Sequence, residues 1–435
     1  MADVQPLQGI RYVPEAIGDL AEVVTPPFDV ISAEAQARYY ARSPYNIIRL
    51  ELGQVFPDDT TLNNRYTRAA KTLAEWRMQS ILRQDTAPGY YLYQQTFTHG
   101  GHSYTRTGLV ARVRLAPWSE RVVLPHEHTL SKPKDDRLKL MRACATNFSP
   151  LMSLYDDPQG RMRRLLSAYA PQAEIHIIDE AQEEHRLHPI IDEKQIALIH
   201  DFFAERQLYI ADGHHRYETA LNYREEVREQ RRCLDPGDAA NFVMMTLIDV
   251  DDPGLLVLPT HRLLFDLDEH RLQALSAESL ARYFTVRGLD TTENNEALLQ
   301  QLAQAGERAP SFVVKTPERA WLLSLNERGA AHMAESEHSS AWNTLDVAIV
   351  QRLMLEEILG LSAADVTAGT YTRYTHDTQE ALQAIAQGQA QVVILLSATP
   401  IRQVCDVAQA DDRMPQKSTY LYPKLGTGLV MNPLW

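Results

Sequence analysis

Residues 208–220 place reactive groups where a strand gives way to a helix. Leu208, Tyr209 and Ile210 read as a short buried strand and Asp212-Gly213 as a sharp turn; from Tyr217 onward, Ala220, Leu221 and Val227 recur at helical spacing. The first turn of a helix presents N–H groups and positive dipole to whatever lies before it. Gly213 lets the backbone approach closely, and His214, His215 and Arg216 add donors, so the expected occupant is a phosphate or carboxylate. The structural alternative is an Asp that caps its own helix beside two solvated histidines. Four polar side chains in one strand-to-helix turn favour the anion site.

Four further segments carry more reactive side chains than packing calls for. In Thr25-Pro26-Pro27-Phe28-Asp29-Val30-Ile31 two prolines fix the loop and deliver Asp29 in a set direction. Residues 124–137 crowd His126, Glu127, His128, Thr129, Lys132, Lys134 and Arg137 into one turn-rich piece. His126-x-His128 is a weak zinc signal without a third ligand, whereas Glu127 can accept a hydroxyl proton if burial or a phosphate neighbour raises its pKa. Thr260-His261-Arg262 follows the strand-like Leu255 to Pro259, at the kind of strand end where α/β sheets hold ligands. Lys417-Ser418-Thr419 offers a cation and two hydroxyls, as phosphate and magnesium sites do, although no Gly-rich phosphate loop precedes it. No GxGxxG follows a strand, and neither a GxSxG elbow nor Cys-x-x-Cys occurs, so dinucleotide, serine-hydrolase and dithiol chemistry lose their main support.

The elements that must position these groups are mixed. A helix is expected from Ser32 as N-cap, a strand over Asn46 to Leu52, helix over 61–83, and an antiparallel pair at 89–98 and 104–115. Helices at 135–144, 160–170 and 190–205 and a strand over Ala173 to Ile178 precede the opening turn. Residues 268–340 alternate helix and strand as a small α+β unit, with an insertion as one reading of its origin; helices near 344–359, 377–388 and 400–410 and a strand at 391–396 follow. The expected organisation is therefore a mixed α/β core over 1–265, a small α+β domain over 266–340, and a C-terminal part over 341–435 that returns Lys417-Ser418-Thr419 to the core.

At 435 residues the chain is too long for one ordinary core. An apolar fraction of 44% and charged fraction of 23% are those of a soluble globular protein. A net charge of -14 argues against a large nucleic-acid footprint, which draws on a basic face. Cys144, Cys233 and Cys405 are widely spaced and odd in number, the start lacks a signal-peptide pattern, and apolar runs such as Val392 to Leu396 fall far short of a membrane span. A cytoplasmic protein is expected.

The segments TPPFDVIS, NIIRLELG, PHEHTLSKPKDDRLKLM, NFSPLMSLY, YIADGHHRYETAL, LPTHRL and MPQKSTYLYPKLGTGLV, in this order, resemble the bacterial and archaeal family called domain of unknown function 1015 (DUF1015), from about residue 5 to about residue 431. That family has no settled activity. Asp212-Gly213-His214-His215-Arg216 is also similar to the phosphate-binding turn of the ParB and sulfiredoxin-like superfamily, whose members include free serine kinases, ATP-using sulfiredoxins and CTP-binding partition proteins. The resemblance implies a ParB/sulfiredoxin-like core, a phosphate role for Gly213, His214, His215 and Arg216, and a metal or base role for Asp212. The sulfiredoxin cysteine has no counterpart at 213–216, so that reductase chemistry is not expected.

The leading expectation is an enzyme, a nucleotide-dependent phosphotransferase acting on a small hydroxylated metabolite, with free serine or a related amino acid first. ATP or ADP with Mg2+ would be the cofactors and Asp212 a magnesium ligand. Lys417 or Lys132 would neutralise developing charge, Ser418 and Thr419 would assist at the phosphates, and Glu127, or Asp29 if geometry favours it, would deprotonate the acceptor hydroxyl. The alternatives are a nucleotide-binding regulatory or nucleic-acid-associated ParB-like module without turnover, and a metal-dependent phosphate-ester hydrolase built on His126, His128, His214, His215 and Asp212. The expected partner is a small-molecule substrate, with neither nucleic acid nor membrane; association into a homo-oligomer is left open.

Overall fold

The computed structural model describes residues 1–129, 131–290 and 295–435, and of 131–133 and 367 the backbone alone. It divides into two compact units: Met1–Pro125, Thr129–Leu256 and Pro423–Trp435 form the first, His126–His128 and Val257–Tyr422 the second. The chain passes from the first unit to the second after Leu256, and residue 340 lies inside the second. Residues 266–340 and 341–422 make one unit because the strand Val392–Leu396 lies inside the same sheet as Ser311–Lys315 and Ala320–Leu325. The segment Lys417-Ser418-Thr419 belongs to that second unit, while only Pro423–Trp435 returns to the first.

Among the described residues the first unit is built on a nine-stranded mixed sheet. Its order is Val123–Leu124, Leu208–Asp212, Leu151–Tyr155, Phe242–Asp249, His102–Arg114, Tyr90–His99, Glu184–Ile190 and Ile175–Ile178, with Val4–Gln5 added along His102–Arg114. Two pairs are parallel, Leu208–Asp212 with Val123–Leu124 and Phe242–Asp249 with Leu151–Tyr155. Phe242–Asp249 is buried along its whole length, as a central strand covered on both faces must be. The helix His214–Arg231 packs beside Ser131–Cys144, which in turn meets Arg65–Met78. Tyr217 anchors the first of these: buried, it stacks on Trp118 at 4.4 Å, donates to the Ala116 carbonyl at 2.8 Å and accepts the Ala116 N–H at 3.0 Å.

Local signals explain the helix starts. Ser32 accepts the Ala35 N–H at 3.1 Å and opens Ala33–Arg42 as expected, and Asn64 and Thr67 form a reciprocal capping box at the start of Arg65–Met78. Asn46 to Leu52 is a correction. Its alternating pattern suggests a strand, yet Ile48–Glu51 is a short helix, because Asn46 accepts the Ile48 N–H at 3.0 Å and caps a turn whose Ile47, Ile48 and Leu50 are all buried.

The second unit is an antiparallel six-stranded sheet ordered Phe284–Leu289, Ala320–Leu325, Ser311–Lys315, Val392–Leu396, His261–Leu264, Thr372–Thr375. Strand alternation sorts its side chains: Val392, Ile394 and Leu396 enter one core, Val393 and Leu395 the other. Among the described residues no helix is long and apolar enough to cross a membrane.

Candidate functional site

In the first unit the strand Leu208–Asp212 carries a bulge where it meets Leu151–Tyr155: Ile210 faces Ser153 and Asp212 faces Met152, leaving Ala211 as an extra residue. A bulge bends its strand and re-aims the next side chain. Gly213 then takes φ of 97°, and a Cβ there would lie 3.0 Å from both Leu151 Cγ and Arg216 Nη2. Only glycine enters this conformation without cost. The helix His214–Arg231 starts directly behind it, with the Tyr217 N–H bonded to the Gly213 carbonyl at 3.0 Å. The expected start at Tyr217 is thus three residues late.

Asp212 is gripped from two sides. Arg216 Nη2 donates to Oδ2 at 2.8 Å and Lys424 Nζ donates to Oδ1. Burial pushes the Asp212 carboxyl up, but the charges of Lys424 and Arg216 outweigh it and hold the group well below the usual carboxylate range. Arg216 Nη1 donates to the Pro150 carbonyl at 2.8 Å and to Ser149 Oγ at 3.1 Å. Ser149 Oγ in turn donates a hydrogen bond to Glu51 Oε1 at 2.9 Å, and Glu51 lies 3.5 Å from Arg137 Nη1. Burial raises the Glu51 carboxyl above its ordinary range despite Arg137, and burial likewise lowers the Arg137 guanidinium. Arg137 also lies 3.9 Å from the centre of the Phe28 ring, next to Asp29. A cavity of about 40 Å³, room for a few waters, opens between Glu51, Arg137, Ser149, Asn147, Arg216 and Thr219.

Lys424 is placed by a second layer. Gln95 Nε2 donates to its carbonyl at 3.0 Å, Arg106 donates to the Pro423 carbonyl at 2.7 Å, and Thr25 and Thr427 exchange backbone bonds at 3.1 and 2.8 Å. Gln95 also donates to Glu183 Oε2 at 2.7 Å. Glu183, Asp179 and His185 each bring a ligand atom within 4.8 Å of one another and have the chemistry to hold a metal ion. Tyr93 OH meets His185 Nδ1 at 2.7 Å and would set that ring's orientation.

Several expectations are met by different geometry. His214 is buried and His215 part-buried at the start of the helix, and Asp29 is exposed in the turn Phe28–Val30. Both terminal nitrogens of Arg216 are engaged within the chain, so this residue acts on the turn by holding Asp212. Both oxygens of Asp212 are held by cations, which a magnesium ion would have to displace. The side chain of Lys132 lies outside the described residues.

In the second unit the structure brings Glu127 and Lys417-Ser418-Thr419 together. Met414 N–H bonds the His126 carbonyl at 2.8 Å, Glu127 Oε1 accepts the Lys417 N–H at 3.1 Å, and Thr419 Oγ1 lies 3.4 Å from His126 Nε2. The turn has Lys417 exposed at φ of 56°, and the buried Ser418 hydroxyl closes it on the Pro415 carbonyl. His126 is buried and His128 exposed, so they do not act as a matched pair. His261 is structural: Nδ1 accepts the Leu396 N–H at 3.2 Å, Nε2 meets Thr378 Oγ1 at 2.9 Å, and burial pushes its pKa down to about 4.

Glu51, Ser149 and Lys424 were missed as site residues. A signal existed for Glu51, a carboxylate between Leu50 and Leu52 just after Ile47-Ile48, which is expensive to bury without a partner. Ser149 and Lys424 carry no such local mark.

Among solved structures the chain is similar to a free serine kinase in complex with AMP, at 12% identity and a TM-score of 0.34 over 69% of this chain and 83% of that one. It is similar to a C-terminally truncated SbnI from Staphylococcus aureus, at 11% identity and a TM-score of 0.35 over 74% and 87%. A conserved hypothetical protein from Pyrococcus furiosus follows at 12% and 0.33 over 69% and 87%. Likenesses of this size carry no chemistry, which rests on the residues described above. No curated protein matches. The model of the family described as "Protein of unknown function (DUF1015)" matches residues 4–348, which hold the bulged strand, Gly213 and the buried relay from Asp212 to Arg137, and to that family the chain belongs.

Proposed function

We propose that this chain is a nucleotide-dependent phosphotransferase whose acceptor is a small hydroxylated metabolite, with free serine or a related amino acid as the first to test. The observation that carries the reading is the Gly213 turn, which leads a buried strand into an 18-residue helix with Lys424 and Arg216 locked at its mouth. A helix start beside fixed cations suits the phosphates of ATP or ADP. In this scheme the N–H groups of the turn and the side chains of His214 and His215 hold the donor phosphates. Lys424 offsets charge that develops on transfer. Asp29, exposed on its proline-fixed turn, orients the acceptor hydroxyl and takes its proton. Magnesium would come with the nucleotide; Asp179, Glu183 and His185 have the donor set for a divalent ion in the same unit. Glu127 and Lys417-Ser418-Thr419 enter as the second unit's own polar pair.

Calorimetric titration of Mg-ADP and Mg-AMP into the full-length protein tests the reading. Binding to the wild type is expected, with Lys424→Ala weakening it about 10- to 100-fold, the scale of one lost charged contact. Asp29→Asn is expected to keep that binding while lowering ATP-dependent turnover of serine about 100-fold or more. A wild type that binds no nucleotide and no phosphate ester would sink the proposal.

A further inference from the structure

Arg262 stands where its sheet calls for an apolar side chain. In the second unit it lies opposite Ile394 on one side and Tyr374 on the other; one step along the same face Leu264 lies opposite Val392 and Thr372. Leu264, Val392 and Ile394 all belong to the core on that face. Arg262 is only 2% exposed, and its guanidinium donates to the Thr260 carbonyl and lies 5.5 Å from the Tyr374 ring centre. Among the described residues no carboxylate pairs with it, whereas the buried Arg137 and Arg216 of the first unit face Glu51 and Asp212. Burial pushes its pKa down to about 10, and the one group that offsets this is Tyr374.

One hydroxyl beside it has no hydrogen-bond partner. Thr260, whose carbonyl takes the guanidinium, has its own Oγ1 buried and unsatisfied, on a residue 2% exposed. An arginine offers five N–H donors in a planar fork that matches an oxyanion. A buried cation without a counter-charge, beside an idle hydroxyl, is costly to the fold and is relieved by an anionic ligand. Tyr374 is itself part-exposed, so the guanidinium lies one side chain from solvent.

We propose that the second unit carries its own oxyanion site, with Arg262 as the cation and Thr260 as a hydroxyl donor, which takes the carboxylate or phosphate group of a small molecule. His261 takes no part, since its ring lies on the opposite face and is satisfied by Leu396 and Thr378. The site does not depend on the first unit's turn.

The test is anion-dependent thermal stabilisation of the full-length protein by sodium acetate and by inorganic phosphate, at ionic strength held constant with chloride. Lys424→Ala, altered only in the first unit, is expected to keep a saturable rise in melting temperature with one of the two anions, and which one acts tells carboxylate from phosphate. Arg262→Met in that background is expected to abolish the rise while melting at or above its parent in chloride alone, as replacing an unpaired buried charge should. Thr260→Val is expected to weaken the effect about tenfold, as one lost hydrogen bond does. A Lys424→Ala protein with no rise above chloride, an Arg262→Met protein that keeps the rise, or one that melts well below its parent would each overturn the assignment. Loss of nucleotide binding in Lys424→Ala speaks to the phosphotransferase reading alone.

Discussion

Asp212 shows how far residue types alone can lead. Its place beside Gly213 and two histidines marks it as a candidate, but its contacts are set by Lys424, 212 positions away, which no local pattern announces. Asp212→Asn leaves Arg216 and Lys424 without their shared counter-charge. A loss of about 3–5 kcal/mol of stability at pH 7, the cost of breaking a buried pair, is expected in urea unfolding. Because the folded carboxyl titrates below its unfolded value near 3.9, the stability it contributes is present above that value and is lost as pH falls through the lower folded one. The gap between wild type and variant should therefore narrow below about pH 4. A variant as stable as the wild type at pH 7 would show that the two cations need no partner. Glu51 was legible only as an oddity in an apolar run, because its meaning lies in Arg137 and Ser149 on other elements.

At the scale of elements, the strand-turn-helix was readable because each piece is local: a buried apolar run, a glycine, then helical spacing. The bulge at Ala211 was not, since a bulge exists only relative to the partner strand Leu151–Tyr155. Gly213→Ala tests the turn. The added methyl would meet Leu151 and Arg216 at 3.0 Å in a left-handed backbone that costs a non-glycine residue about 1–2 kcal/mol. A drop of several degrees in melting temperature together with at least tenfold weaker ADP binding is expected; unchanged binding would separate the turn from the phosphates. Ser311–Lys315 and Ala320–Leu325 form strands, as apolar runs bounded by proline and charged turns should. Asn46 to Leu52 misled because alternation in a short run does not separate a strand from one buried helical turn, and the Asn46 cap decided it.

Over the whole molecule, each unit contains a carboxyl whose pKa folding raises. Burial pushes Asp346 of the second unit up to about 7, with the Ser311 N–H opposing it, and pushes Asp252 of the first up to about 6 against the Gly254 and Thr107 N–H groups. For a raised folded pKa the stability is fully present below the unfolded value near 3.9 and is lost as pH rises through 6 to 7. These two groups are thus expected to contribute about 1–3 kcal/mol each on going from pH 8 to pH 5. Urea unfolding of Asp346→Asn should show a flatter rise over that range than the wild type, and equal slopes would remove Asp346 from the account. The sequence by itself determined a mixed α/β chain, its family, and the turn at Asp212 to Arg216, because those rest on local periodicity and on glycine chemistry. The tertiary structure decided the division after Leu256, the passage of the chain end into both units, and the pairing of Asp212 with Lys424. Those depend on which distant segments share a sheet edge or a buried charge, and burial energy is settled by neighbours in space rather than along the chain.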